Sequence, residues 1–204
     1  MRLFRPSFIG GCLYPSALFR IKTTEKLLCL TFDDGPDPES SPRLLDILDK
    51  YKVKALFFCD GRAAEKYPDL IDLIKSEGHL IGNHGYNHLN GWNTSPGIYV
   101  ADVENASLLT SSYLFRPPYG RLRLSQYRRL KQKYRIVFWD IMPYDFDISF
   151  SSENSIKVLL KKLRPGSVIV LHDQPWSTLI PVLDQFIETA IQRGYRFILP
   201  DSII

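Results

Sequence analysis

Cysteine is scarce in this 204-residue sequence: Cys12, Cys29 and Cys59 are odd in number and too few for a disulfide framework. Cys29 and Cys59 stand inside apolar runs and read as small core residues. Long hydrophobic runs are missing too, since no stretch reaches the roughly 18–20 apolar residues of a transmembrane span. Arg2 and Arg5 precede an apolar stretch from Phe8 to Phe19, but Pro6 and Pro15 interrupt it. No continuous apolar segment with a small-residue cleavage site follows, so no secretory signal is expected and the cytoplasm is the default compartment. A strong excess of one charge is also lacking. The 26 Lys+Arg against 22 Asp+Glu leave +4, which does not by itself call for nucleic acid. There are no internal repeats, low-complexity tracts or linkers, and the length suits one domain. A content of 45% hydrophobic and 24% charged residues excludes disordered and fibrous classes. Histidine is the informative scarcity: any site using imidazole must draw on His79, His84, His88 and His172.

What is present is an alternation of short apolar runs with helical patterns. Leu27–Phe32 reads as a first strand, stopped by the turn residues Asp33-Asp34-Gly35-Pro36. Ser41-Pro42 then opens a helix whose apolar stripe is Leu44, Leu45, Ile47 and Leu48. Further strands are expected at 55–59, 79–82, 113–116, 136–139, 168–171 and 196–199, with helices at 70–74, 154–163 and 179–193. Such alternation is the signature of a parallel sheet covered by helices. Seven units fit an α/β fold, a small distorted (β/α) barrel with about seven parallel strands; a doubly wound open sheet is the alternative.

The residues that follow the strands are the chemically telling ones. Asp33 and Asp34 follow the first, His84 and His88 the third, Arg116 ends the fourth, Asp140 and Asp145 follow the fifth, and His172 the sixth. In a parallel β/α architecture these positions share the carboxyl edge of the sheet, where such folds build active sites. His84 and His88 are spaced i, i+4, which on a helical turn would put both on one face and suit one metal ion. Gly85 stands where the metalloprotease motif has its glutamate, so that motif is absent. A third ligand is then needed, and Asp33 or Asp34 can supply it. Adjacent carboxylates repel unless a cation compensates, so one could bind metal while the other stays free as a base. A helix-capping turn is the plain alternative for Asp33-Asp34. His79 precedes its strand, at the opposite end, and is assigned to structure.

Thr31-Phe32-Asp33-Asp34-Gly35-Pro36, His84-Gly85-Tyr86-Asn87-His88, Arg116-Pro117-Pro118-Tyr119-Gly120, Trp139 through Asp145-Phe146, and Ile169-Val170-Leu171-His172 resemble, in order, the five motifs of the polysaccharide deacetylases (the NodB-homology domain, carbohydrate esterase family 4). The resemblance runs from about residue 26 to the C-terminus, which leaves residues 1–25 as an N-terminal extension and 26–204 as the catalytic domain. It implies metal-dependent hydrolysis of an N-acetyl group, less often O-acetyl, on a glycan such as peptidoglycan or a chitooligosaccharide. Asp34, His84 and His88 resemble the metal triad, which usually holds Zn2+, with Co2+ or Ni2+ as substitutes. Asp33 resembles the general base and Arg116 the residue that orients it. The Tyr119 backbone N–H matches the oxyanion donor, Asp145 the carboxylate that orients the acid, and His172 the acid itself. Leu171 matches a wall of the acetyl pocket. The implied partner is an acetylated glycan, with no nucleic acid and no transmembrane span.

The sequence departs from the family pattern in three places. Gly85 replaces a usual Ser or Thr and removes a hydroxyl that can brace the loop; Phe146 stands where Trp is typical; Met142 stands where Asp is frequent. None removes a ligand, base or acid, so activity is expected to survive. The competing readings are a non-catalytic glycan-binding protein of the same fold and a two-His-one-carboxylate iron oxygenase. Between Arg121 and Arg135 seven of 15 residues are basic and none acidic, which reads as a solvated helix face or a contact for an anionic glycan or membrane surface. Tyr86, Trp92, Tyr119, Tyr144 and Trp176 are loop aromatics that could stack on sugar rings.

Overall fold

The first apolar run becomes β1 (Leu27–Asp33), in which every residue is buried, as a central strand covered on both faces must be. In the computed structural model, which describes Arg5 and residues 8–200, six more strands follow. They are β2 (Leu56–Cys59), β3 (Leu80–Asn83), β4 (Leu114–Phe115), β5 (Arg135–Ile136), β6 (Ser167–His172) and β7 (Arg196–Phe197). The sheet runs β5-β4-β3-β2-β1-β6, β7 pairs with the start of β1, and every pairing is parallel. The helices are α1 (Phe8–Leu13), α2 (Ser40–Lys50), α3 (Gly61–Lys66), α4 (Pro68–Ser76), α5 (Pro96–Thr110), α6 (Leu124–Leu130), α7 (Ser152–Lys162) and α8 (Leu183–Gln192).

The sheet curls, and the chain beyond its short strands draws the two edges together. Leu18 bridges Val137, Arg20 bridges Ser167, and Ile141 bridges Ile169. The Leu18 N–H donates to the Ile136 carbonyl, and the Ile21 N–H to Gly166. Residues 18–21, within the stretch set apart as an extension, thus link the β5 edge to the β6 edge. The architecture is the distorted parallel barrel expected, not the doubly wound sheet. Residues 1–4, 6–7 and 201–204, which include the Arg2 and Pro6 used in the signal-sequence reading, lie outside the described residues.

Alternation along the strands sorts the core into layers. Leu28, Leu30 and Phe32 point outward against Leu44, Leu45 and Leu48 of α2 and Phe186 of α8. Cys29 points inward with Leu56, Phe58, Leu114, Val137 and Val168, filling the barrel interior below the site. A third cluster, with Tyr99, Val103, Phe115 and Tyr127, packs α5 and α6 onto the sheet. The expected runs at 113–116, 136–139 and 196–199 each shrink to two paired residues. Helix α5 was not read from the sequence, whereas α6 falls inside the basic stretch 121–135 that reads as a helix face. The apolar residues of α5 are spread around its axis, with Ile98 and Leu108 exposed while Tyr99, Val103 and Ala106 are buried, so no stripe marks it. Among the described residues, no helix is long and apolar enough to cross a membrane.

Candidate active site

The parallel register sets the carboxyl ends of the strands at one level. Asp33 stands beside Phe58 of β2 and His172 of β6, and Cys59 beside Asn83. The chain leaving these ends lines a cavity of about 380 Å³ bounded by Asp33, Asp34, His84, His88, Tyr119 and His172, with Trp139, Met142 and Phe146 on its apolar side. That volume suits a small organic group.

Asp34 Oδ1 lies 3.4 Å from His84 Nε2 and 3.2 Å from His88 Nε2. His84 Nδ1 is 2.9 Å from the Arg116 carbonyl oxygen. A carbonyl only accepts, so Nδ1 carries the proton and the Nε2 lone pair faces Asp34, the tautomer that a metal ligand requires. One donor atom each from Asp34, Asp60, His84 and His88 lie within 4.8 Å of one another, a set that could hold a divalent ion. Burial pushes the Asp34 carboxyl up, but the adjoining imidazoles of His84 and His88 outweigh it and hold it well below the ordinary carboxylate range.

The segment carrying both histidines is not helical, which corrects the expectation of a shared helical face. Gly85 has φ +80° and His88 φ +52°, so the chain winds through left-handed conformations. Asp102 on α5 holds this loop by accepting from the Tyr86 and Asn87 N–H groups and from Asn87 Nδ2. Asn83 Oδ1 accepts from the Gly85 N–H. A hydroxyl at position 85 is therefore not needed to brace it. The positive φ favours glycine, and a Cβ there would sit 3.0 Å from Asp102 Oδ2. Asp34 (φ +75°) and Tyr119 (φ +59°) are likewise left-handed, so three non-glycine residues at the cavity store backbone strain on the order of 1–2 kcal/mol each.

Arg116 is fully buried and spends its donors on fixed acceptors. Nη1 reaches Asp33 Oδ1 and Thr31 Oγ1 at 2.6 Å each, Nη2 the Phe138 carbonyl at 3.0 Å, and Nε the Val137 carbonyl at 3.2 Å. Asp33 is thereby held as a compensated carboxylate, with Oδ2 3.9 Å from His84 Nε2. On the β6 side, Asp145 Oδ1 lies 2.9 Å from His172 Nδ1, and Oδ2 accepts from the His172 N–H and from Ser177 Oγ. Burial lowers the His172 pKa, but the Asp145 carboxylate overcomes this and pushes it up to about 9. The ring of Phe146 meets that of His172 edge-on at 4.9 Å.

Leu171 does not face the cavity: it is buried in the core between sheet and helices, while Val170 lines the site. Side chains alternate along β6, so a cavity-facing His172 fixes Val170 on the same side and Leu171 on the other. Asp140 is also apart, paired with Arg164 and accepting from Ser167 Oγ at 2.7 Å. His79 is buried as expected, with Nδ1 accepting from the Ala55 N–H at 3.1 Å. From the basic stretch, Arg121 lines the cavity, its guanidinium 5.2 Å from the Trp92 ring and 5.9 Å from that of Tyr119. Asp60 was missed by sequence reading, although it follows β2 as Asp34 follows β1.

Fold and site together define a hydrolase of the carbohydrate deacetylase class. The sequence matches the polysaccharide deacetylase family over residues 20–137, and the chain belongs to that family. It is 35% identical over 186 residues to a peptidoglycan-N-acetylglucosamine deacetylase of Bacillus cereus, covering 86% of this chain and 67% of the relative. It is 32% identical to a chitooligosaccharide deacetylase of Azorhizobium caulinodans, covering 76% and 77% of the two chains. Among solved structures, the Bc1960 peptidoglycan N-acetylglucosamine deacetylase, in complex with 4-naphthalen-1-yl-N-oxidanyl-benzamide, superposes with a TM-score of 0.87 at 31% identity, covering 98% of this chain and 97% of that one.

Proposed function

We propose that this enzyme removes the N-acetyl group from N-acetylglucosamine units of a glycan such as peptidoglycan or a chitooligosaccharide, releasing acetate, and that it does so with a divalent cation, Zn2+ above all. The observation that carries the reading is that one cavity is flanked on one side by an Arg-compensated carboxylate and on the other by a carboxylate-held imidazolium, with an Asp-His-His donor set between them. Asp34, His84 and His88 would hold the ion. When bound, such an ion supplies Lewis acidity toward an acyl oxygen and brings the pKa of water toward about 7.

The chain's own residues divide the remaining work. Asp33 takes the proton from the attacking water, its free oxygen available because Arg116 occupies the other. The Tyr119 backbone N–H stabilises the developing oxyanion; one such donor contributes about 3–4 kcal/mol in other hydrolases. His172 donates its proton to the departing amine, and Asp145 keeps it protonated and oriented. Val170, Trp139 and Met142 enclose the acetyl methyl, while Arg121, Trp92 and Tyr119 form a cationic, aromatic rim suited to a sugar ring. The compound bound to the Bc1960 neighbour is a hydroxamic acid, a chemical class that chelates divalent ions, which supports the metal requirement.

The test is acetate release from N-acetylglucosamine oligomers and peptidoglycan fragments. Activity should vanish with chelator, return with Zn2+, and fall by about 10²-fold or more in Asp33→Asn and His172→Ala. Full activity in both variants would overturn the assigned roles, and turnover unaffected by exhaustive chelation would overturn the metal requirement.

A further inference from the structure

Asp60 carries a carboxylate that nothing in the fold uses. It stands at the N-cap of α3, where an aspartate ordinarily accepts from the first free N–H groups of the helix, yet its side chain makes no capping bond. Its Oδ1 is buried with no hydrogen-bond partner. A buried, unpaired carboxylate oxygen is destabilising by at least 1–3 kcal/mol, about the worth of a lost hydrogen bond, so a fold that keeps one usually has a partner for it. The backbone is pinned in place: the Asp60 N–H donates to Gly35, and the N–H groups of Gly61 and Arg62 donate to the carbonyls of Gly85 and Tyr86. These bonds fix the residue between the Asp34 turn and the histidine loop, where one of its carboxylate oxygens lies within 4.8 Å of the donor atoms of Asp34, His84 and His88.

We infer that Asp60 is a fourth protein ligand, making the site a two-histidine, two-carboxylate centre rather than a three-ligand one. The inference rests on the metal reading above and deepens it. Charge accounting agrees. Arg116 neutralises Asp33, and with a divalent cation bound Asp34 and Asp60 would supply the two negative charges that cancel it. Donors bound to one ion at about 2.0–2.2 Å are no more than roughly 4.4 Å apart, so a small side-chain rotation brings the Asp60 oxygen into the sphere. The added carboxylate raises affinity and favours ions that accept oxygen-rich coordination beyond four ligands.

The experiment compares metal-free wild type with Asp60→Asn and Asp60→Ala, using Zn2+ in competition with a chromophoric chelator and Co2+ followed by its visible absorption. Both variants should bind Zn2+ about ten- to hundred-fold more weakly. Their Co2+ spectra should differ from wild type in intensity and band position, because a ligand has been lost. Metal-free Asp60→Asn should melt no lower than metal-free wild type, since the Asp60 side chain makes no hydrogen bond for the fold to lose; a residue with a purely structural role would instead lower the melting point. A Co2+ spectrum unchanged in both variants overturns the inference, whatever the affinities. Failure of the wild type itself to take up Zn2+ or Co2+ would overturn the metal reading instead, so the two failures are distinguishable.

Discussion

The pairing of His172 with Asp145 makes a sharp demand on the pH profile. Burial alone would take the imidazole below its ordinary value of about 6.5; the Asp145 carboxylate, itself fully buried and 2.9 Å away, pushes it up to about 9. A shift of that size corresponds to roughly 3 kcal/mol of preference for the charged ring. At pH 7.5 the wild-type ring is then about 97% protonated, and without the carboxylate no more than about 10%. Asp145→Asn keeps the size and one acceptor oxygen while removing the charge. It should therefore cut kcat/KM at pH 7.5 by about ten-fold through protonation alone, and further through lost orientation. More tellingly, its alkaline limb should fall from near pH 9 to below pH 6.5. The charge of a bound cation lowers both limbs together, so the separation between the two enzymes is what is read. The assay is acetate release from a chitooligosaccharide between pH 5 and 10, with the same metal loading. An alkaline limb at the same pH in both enzymes would refute the assignment of His172 as the acid. The same pair contributes to stability: its share is fully present below about pH 6.5 and is lost as pH rises through about 9. Asp145→Asn should flatten that slope in urea denaturation.

Three other perturbations test the surrounding structure. Arg116→Lys cannot replace the four-acceptor fork and leaves Asp33 and two carbonyls short of donors; it should lower unfolding stability by about 3–5 kcal/mol in urea titration, and a loss under 1 kcal/mol would show the fork to be dispensable. Gly85→Ser restores the family's usual hydroxyl but must adopt φ +80° with its Cβ 3.0 Å from Asp102, so it should be destabilising by about 1–2 kcal/mol and weaken Zn2+ binding; a gain in either would refute the bracing role given to Asp102. His79 is held neutral by burial, at about 4, with Lys54 adding to the effect. Its contribution is complete above pH 6.5 and lost as pH falls toward 4, so His79→Gln should show a shallower fall in stability between pH 7 and 4.5, and equal falls would remove His79 from the acid response.

The strand order of the site was legible because a parallel sheet turns a list of strand ends into one edge of the molecule. That is why Asp33, Asp34, His84 and His172, up to 139 positions apart, meet at one cavity, with Arg116 buried behind Asp33. What escaped had physical reasons. Leu171 was given as a pocket wall by the family resemblance alone; a strand's period of two sends it to the face opposite His172. Helix α5 escaped because its apolar residues make no stripe, though it supplies Asp102. Asp60 escaped because Asp-Gly after a strand is ordinary turn chemistry; only the missing cap bond and the unpartnered oxygen set it apart.

The two histidines converge as their spacing predicts, but for a different geometric reason. Spacing of i, i+4 brings imidazoles together on a helix because 3.6 residues complete a turn. Here the same five residues form a loop with two left-handed positions, and the ring nitrogens converge because other groups place them. The Arg116 carbonyl fixes His84, the edge of the Tyr119 ring packs on His88 at 4.5 Å, and Asp102 and Asn83 tie down the backbone between them. The information in the spacing is thus a loop length, not a helical face. It follows that the donor set is only as rigid as α5 and the Arg116 turn that hold it. A substitution at Asp102, which holds the histidine loop without lining the cavity, should therefore act on the site through the positions of His84 and His88 rather than through chemistry of its own.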